Sequence, residues 1–220
     1  MTNGSSNAGR MILIPSIITL AVTLLRLIGE LKHWNETFFK SGYGGSGAVV
    51  GITWLALIFA VYFALKLRKA GYGLQSKGKA IGLSILALVL FVGGTFTIFK
   101  ETGGLQSTLL LVVGLVVITA GICVMRSAWP AYWNVMMGYA IAARIPVIVV
   151  MYLGMKGNWG THYDALPPKE VFSSFASQFA QLALVPQVFF WIPFTVVLCG
   201  LIGVIVAAIG KTPAKMDVAA

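Results

Sequence analysis

The sequence predicts an all-α polytopic membrane protein with six transmembrane helices and one amphipathic interfacial helix before the last span. Of its 220 residues, 58% are hydrophobic and only 10% are charged, whereas an ordinary soluble domain is about 25% charged. The mean hydropathy is +0.90. The apolar runs are also continuous, unlike the alternating segments of roughly 10 residues that are typical of transmembrane β-strands. This composition excludes a soluble globular domain, a disordered chain and a disulfide-rich secreted domain.

Six apolar runs are long enough to cross a membrane. A helix needs about 20 mostly apolar residues to cross a hydrocarbon layer of about 30 Å. The runs are Met11–Gly29, Ala48–Leu65, Ile81–Phe99, Thr108–Met125, Trp133–Leu153 and Val188–Ile209. We predict one transmembrane domain over residues 11–210, between a disordered cytoplasmic tail (1–10) and a second cytoplasmic tail (211–220).

The formal net charge of +10 indicates orientation, because Lys and Arg concentrate in cytoplasmic loops. With six spans, both termini share a side with the second and fourth loops. Asp217 is the only acid on that side, and its bases are Arg10, Lys66, Arg68, Lys69, Lys77, Lys79, Arg126, Lys211 and Lys215. On the opposite side, acids balance the bases Lys32, Lys40, Lys100, Lys156 and Lys169. We therefore predict a multi-pass protein of the cell inner (plasma) membrane, with cytoplasmic termini and anionic lipids at the basic face.

The C-terminal third has two interpretations, because residues 171–210 carry no formal charge and could hold two spans. Apolar side chains recur there at helical spacing among Ser and Gln: Phe172, Phe175, Phe179 and Leu182. That pattern favours an amphipathic helix lying in the interface. We expect Pro167-Pro168 to open this helix and Pro186 to separate it from the last span. Whether residues 171–186 lie in the interface or cross the membrane stays open.

The first span carries a polar seam at alternating spacings of three and four residues, which places its members on one helix stripe. They are Ser16, Thr19, Thr23, Arg26, Glu30, His33 and Thr37. Lipid cannot satisfy these groups, so the stripe should face protein or water. It either joins neighbouring helices or lines a hydrated cavity. Arg26 and Glu30 are one turn apart and can pair.

Arg144 is the second polar feature, because it lies halfway along its span, too deep to extend easily to the interface. A central Arg costs about 2.5–3.5 kcal/mol on insertion scales. Pro146 follows two residues later and removes one helix hydrogen bond. Either backbone carbonyls offset the charge for structural reasons, or Arg144 meets an anionic ligand or lipid head group.

The longest predicted outer loop, residues 157–168, mixes His, Asp, Tyr and Trp before its Pro-Pro turn. Three interpretations compete. Trp159 and Tyr163 are interface anchors; the loop covers a cavity lined by the seam; or His162 and Asp164, with residues of the seam, bind a metal or perform acid–base chemistry. Typical zinc spacing is missing.

Our main functional prediction is a membrane protein that holds an amphipathic or anionic small molecule, such as a lipid, in an intramembrane cavity, with transport as an extension of that role. Arg144 supplies positive charge and the 157–168 loop forms a lid. The predicted ligand-binding residues are Arg144, Arg26, Glu30, His33, Thr23, Thr19, Trp159, His162, Tyr163 and Asp164.

Two alternatives remain. One is a non-catalytic accessory subunit that docks to partner membrane subunits, or to a second copy, through small-residue helix faces. The other is a membrane enzyme with an outward site built from His162, Asp164, His33 and Glu30. The sequence has no HExxH, GxSxG or P-loop pattern and favours a non-enzymatic role. We predict no catalytic residues, no metal, no cofactor and no nucleic-acid partner.

Overall fold

The computed structural model describes residues 3–45, 47–99, 104–168 and 170–210. It is all-α and 78% helical, with no strand in these ranges. The helices are α1 (Asn3–Leu31), α2 (Thr53–Lys69), α3 (Lys77–Phe99), α4 (Gly104–Ala128), α5 (Pro130–Gly157), α6 (Phe175–Phe179) and α7 (Ile192–Ile209). A short 3₁₀ turn covers Tyr43–Gly45. Each of the six predicted apolar runs overlaps a helix, and the predicted tail 211–220 lies outside the described residues.

Five helices are long and apolar enough to span a membrane, which supports a membrane protein. They are Gly9–Leu31, Lys77–Ile98, Thr108–Ala128, Pro130–Gly157 and Phe175–Ile209. The remaining helix, α2, has 17 residues and begins later than the predicted run Ala48–Leu65. The delay has a local cause, since the backbone N–H groups of Val49 and Val50 donate to the carbonyls of Thr37 and Phe38 instead of entering a helix.

The helix before the last predicted span differs from expectation in two respects. It begins at Phe175, after Ser174 caps it by accepting a hydrogen bond from the Ser177 N–H at 3.2 Å. The predicted start at Pro167-Pro168 is therefore wrong. The predicted break at Pro186 is also wrong, because two π-helical stretches, Ala180–Leu184 and Pro186–Trp191, keep the segment helical from α6 to α7. Wider π-helical turns accommodate a residue that lacks an N–H.

The chain forms two compact units. Unit 1 comprises the described residues of Met1–Ala56 and Met137–Ile192. Its apolar cluster contains Val147, Val150 and Tyr163, with Leu27 and Ile52 packed against it. The polar seam of α1 faces this interior between Thr19 and Glu30, where the four seam residues are buried and most residues between them are exposed.

Unit 2 comprises the described residues of Leu57–Met136 and Pro193–Ala220. Here α3 and α4 approach so closely that a methyl group on Gly94 would lie 2.7 Å from the Gly114 carbonyl oxygen. The Tyr132 hydroxyl is buried and lies 3.0 Å from the carbonyl oxygens of both Ala60 and Cys199. Small residues and backbone acceptors thus allow close helix packing, as small-residue motifs do in membranes.

Candidate functional site

A cavity of about 500 Å³ lies within unit 1. Its walls come from α1, the glycine-rich segment 43–54, α5, the loop after α5 and the π-helical region around Pro186. Side chains that line it are mostly apolar, and the polar or charged ones are Thr23, Arg26, Tyr43, Thr53, Arg144, His162, Tyr163 and Gln187. None of the described lining residues is acidic.

Arg26 and Glu30 form a buried ion pair on successive turns of α1. The Arg26 Nε donates to Glu30 Oε1 at 2.8 Å, and the carboxylate side chain is fully buried. The rest of the guanidinium turns to the glycine-rich segment, where Nη2 donates to the Gly45 carbonyl at 2.9 Å. The expected pairing of these two residues is confirmed. Each N–H that Arg26 commits to Glu30 or Gly45 lowers the cost of keeping its charge away from water.

Glu30 also binds His162, which is 132 residues away in the chain. Glu30 Oε2 accepts from the His162 backbone N–H at 2.8 Å, and Glu30 Oε1 lies 2.6 Å from His162 Nδ1. Because the carboxylate held by Arg26 only accepts hydrogen bonds, we assign the proton to Nδ1, which leaves Nε2 as an acceptor in the neutral ring. Burial lowers the pKa of His162, with the Arg26 charge acting in the same direction and Glu30 opposing both.

Glycine is required where the 43–54 segment crosses this pair. Gly45 has φ +64°, and a methyl group there would lie 2.7 Å from His162 Cδ2 and 3.1 Å from Arg26 Nη2. A methyl group on Gly51 would lie 3.2 Å from Arg26 Nη1. The glycine-rich segment therefore packs directly on the charged pair.

The loop after α5 is held by Asp164, whose carboxylate accepts from the Gly160 N–H, the Thr161 N–H and the Thr161 hydroxyl at 2.6–2.9 Å. This local network fixes the turn that presents His162 to Glu30. Tyr163 is buried next to it and donates through its hydroxyl to the Thr23 carbonyl at 3.3 Å. Burial raises the pKa of the Tyr163 phenol, so the phenol stays neutral.

Arg144 enters the cavity from the middle of α5 and is only 5% exposed. Its Nη1 lies 3.5 Å from Gln187 Oε1, and its guanidinium carbon lies 4.9 Å from the centre of the Trp191 ring. An aromatic face attracts a cation and shields it from lipid. Gln187 and Trp191 were not among the predicted site residues. The Gln187 amide, which stands next to the apolar run that follows Pro186, was the sequence signal that could have identified this part of the site.

Half of the predicted site residues line the cavity: Arg144, Arg26, Thr23, His162 and Tyr163. Glu30 lies behind them, bonded to Arg26 and His162. Thr19 is buried 2.9 Å from the Tyr139 hydroxyl and does not line the cavity. The other predicted residues, His33, Trp159 and Asp164, are also outside the lining.

Two of the four residues in the predicted acid–base site, Glu30 and His162, come into contact. His33 is exposed with φ +50°, because α1 ends at Leu31 and the helical stripe does not continue to it. The described ranges contain no cluster of three His, Cys, Asp or Glu side chains suited to a metal ion.

Comparisons of the chain with protein-family models, with curated proteins and with solved structures find no match.

Proposed function

We propose that this protein binds an amphipathic anion in the cavity of unit 1 and carries it across the membrane. One observation carries the proposal. Two buried arginines from different helices, Arg26 and Arg144, line one cavity whose described lining contains no acid. Buried charges are normally matched by a partner or mark a ligand path. The Arg26 charge is matched by Glu30, and the proposal assigns the anion to the space that both guanidinium groups border.

The remaining wall suits an apolar tail. Val147 and Met151 on α5 and Leu182 in the following segment line the same space. A volume of about 500 Å³ falls within the range of about 300–1,000 Å³ of small-molecule sites, which are mostly apolar with a few polar groups that fix orientation. A carboxylate, phosphate or sulfonate head group matches the planar donor arrangement of a guanidinium.

We propose six crossings in the cell inner membrane, cytoplasmic termini, basic loop ends on anionic lipid and an interfacial position for residues 171–186. In support, α2 has 17 residues, which gives a length of about 26 Å, close to the hydrocarbon thickness. Cysteines placed at Glu36 and Arg68 should label from opposite sides in intact cells, and labelling of both from one side would contradict this topology.

The binding experiment uses the purified full chain in nanodiscs with 1-octanesulfonate, a permanent monoanion with a short tail. We expect saturable binding by the wild type and at least about a tenfold loss in Arg144→Ala, since removing one side of a charge contact costs about 2–5 kcal/mol. Arg126→Ala is the matched control, because Arg126 also lies over a tryptophan, Trp133, but is exposed and outside the cavity.

Two further measurements separate the sources of the anion. Weaker binding of methanesulfonate than of octanesulfonate would support an amphipathic ligand, whereas equal affinity would contradict the tail assignment. Competition by anionic but not zwitterionic nanodisc lipid would identify a lipid head group as the natural occupant. Unchanged octanesulfonate affinity in a folded Arg144→Ala protein would overturn the binding site, and no uptake of the anion into proteoliposomes would overturn transport.

The contact between Glu30 and His162 favours a second candidate function, a membrane enzyme. A carboxylate that holds Nδ1–H leaves Nε2 free to act as a general base. This candidate requires turnover of a bound amphiphile, for example hydrolysis of an ester of octanol, that stops in His162→Gln. Binding without turnover would exclude ester hydrolysis and leave the carrier proposal.

A further inference from the structure

His162 borders the cavity with one edge of its ring while the other edge is held by Glu30. The Nδ1 edge lies 2.6 Å from the Glu30 carboxylate. The opposite edge, with Nε2 and Cδ2, lies against Gly45, where a methyl group would be 3.3 Å from Nε2 and 2.7 Å from Cδ2. The His162 side chain is 15% exposed, so a proton can reach it from water while the ring remains in contact with the cavity.

Charged and titratable groups face His162 from each surrounding element. Arg26 and Glu30 come from α1, Asp164 and Tyr163 from its own loop, and Arg144 enters the same cavity from α5. Lys40 meets the site through its backbone carbonyl, and its side chain is exposed.

Both carboxylates in this set are occupied. Glu30 accepts from Arg26 and twice from His162, and Asp164 accepts from its own loop. Neither lines the cavity. An anion that enters beside Nε2 therefore favours the charged imidazole, because a nearby opposite charge stabilises the protonated form of a histidine.

We propose that the cavity takes up its monoanion together with one proton, which binds to His162 Nε2. This inference rests on the proposed anion-binding function and adds the coupling ion. The proton comes from bulk water, Nδ1–H continues to donate to Glu30, and no covalent bond to the anion forms. The resulting imidazolium lies between the Glu30 carboxylate and the anion.

The test measures proton uptake by titration calorimetry of 1-octanesulfonate into the full chain in nanodiscs, near pH 7 in buffers of different ionisation enthalpy. Octanesulfonate carries no titratable group, so any proton taken up binds to the protein. We expect about one proton per anion for the wild type. In the pH range where anion binding and protonation are fully coupled, the affinity should rise about tenfold for each unit by which the pH is lowered. His162→Gln should bind with an uptake near zero.

The second histidine provides the control, because the chain has only two. His33→Gln should retain the wild-type uptake, since His33 is exposed and outside the cavity. Saturable wild-type binding without proton uptake, or undiminished uptake in His162→Gln, would overturn the coupling and leave anion binding intact. If His162→Gln does not fold, the wild-type pH dependence decides alone, and an affinity independent of pH between 6 and 8 would overturn the coupling. Absence of saturable binding would overturn the proposed function itself.

Discussion

The two compact units bury very different polar groups. Among the described residues, every buried charge lies in unit 1: Arg26, Glu30 and Arg144. The buried side-chain hydroxyls described in unit 2 are those of Ser84, Tyr132 and Thr195. Ser84 donates to the Ala80 carbonyl one turn earlier at 2.8 Å. The described part of unit 2 therefore packs its helices with small residues and with hydrogen bonds between uncharged groups, both within a helix and between helices.

The comparison separates the polar groups that helix packing requires from the charged groups that it does not require. A helix pair such as α3 and α4 packs through glycines and apolar side chains such as Ile118, so a bundle of this kind does not need an internal ion pair. Replacing buried ion pairs by apolar residues is often neutral or stabilising. Packing therefore does not require the arginines of unit 1, and the proposed anion binding assigns them a role in the cavity that they line.

The largest expected effect is that of Glu30→Ala. This substitution leaves Arg26 buried with its carboxylate removed, and it also releases His162 from α1. Breaking a buried pair on one side costs about 3–5 kcal/mol. We expect a loss of that size in the free energy of unfolding, measured by denaturant titration of the purified protein.

Glu36→Ala is the matched control, because Glu36 is exposed near the same end of α1, and it should change the free energy of unfolding little. A loss below about 1 kcal/mol in Glu30→Ala would place the Arg26–Glu30–His162 contacts among weak surface pairs. The contrast between the two units would then disappear.

The sequence predicts unit 1 best where the signal is local. The alternating spacing of α1 places Thr19, Thr23, Arg26 and Glu30 on one stripe, and burial of these four follows from helix geometry alone. His33 fits the same spacing but is exposed, because the helix ends before it and helical periodicity no longer applies. Local patterns thus predict a face only as far as the helix extends.

The distant contacts of the site were not predictable in the same way. Glu30 pairs with His162 because the loop after α5 is folded by Asp164, and the spacing of residues in α1 contains no information about that turn. Gly45 is required only because this pair lies beneath it. Gln187 and Trp191 accompany Arg144 because Pro186 does not end the helix, contrary to the local rule for proline.

A change of pH should have a smaller effect on the free energy of unfolding, through His162 in unit 1. Burial lowers the pKa of His162 in the folded protein below its value of about 6.5 in the unfolded chain. Below that pH the unfolded chain binds a proton that the native state resists, so stability decreases as pH falls. We expect the ligand-free protein to lose up to about 1.4 kcal/mol per pH unit between about 6.5 and the lowered native value.

Denaturant titrations at pH 5.5, 6.5 and 7.5 measure this slope. His162→Gln should flatten it, and His33→Gln should leave it unchanged. A slope that is the same in His162→Gln and wild type would assign the pH dependence to other groups.

The smallest expected effect tests unit 2. Tyr132→Phe removes a buried hydroxyl that donates to the backbone of Ala60 or Cys199. Because hydrogen bonds between membrane helices average about 0.6 kcal/mol, we expect a loss of this size in the free energy of unfolding. Tyr72→Phe is the control, since the Tyr72 side chain is exposed and its carbonyl, which accepts from Trp129 Nε1 at 2.9 Å, is retained.

Octanesulfonate affinity should not change in Tyr132→Phe, because this hydroxyl belongs to a unit that packs helices without charge. A loss of binding equal to that of Arg144→Ala would show that the functional site extends into unit 2 and would end the contrast between packing and binding.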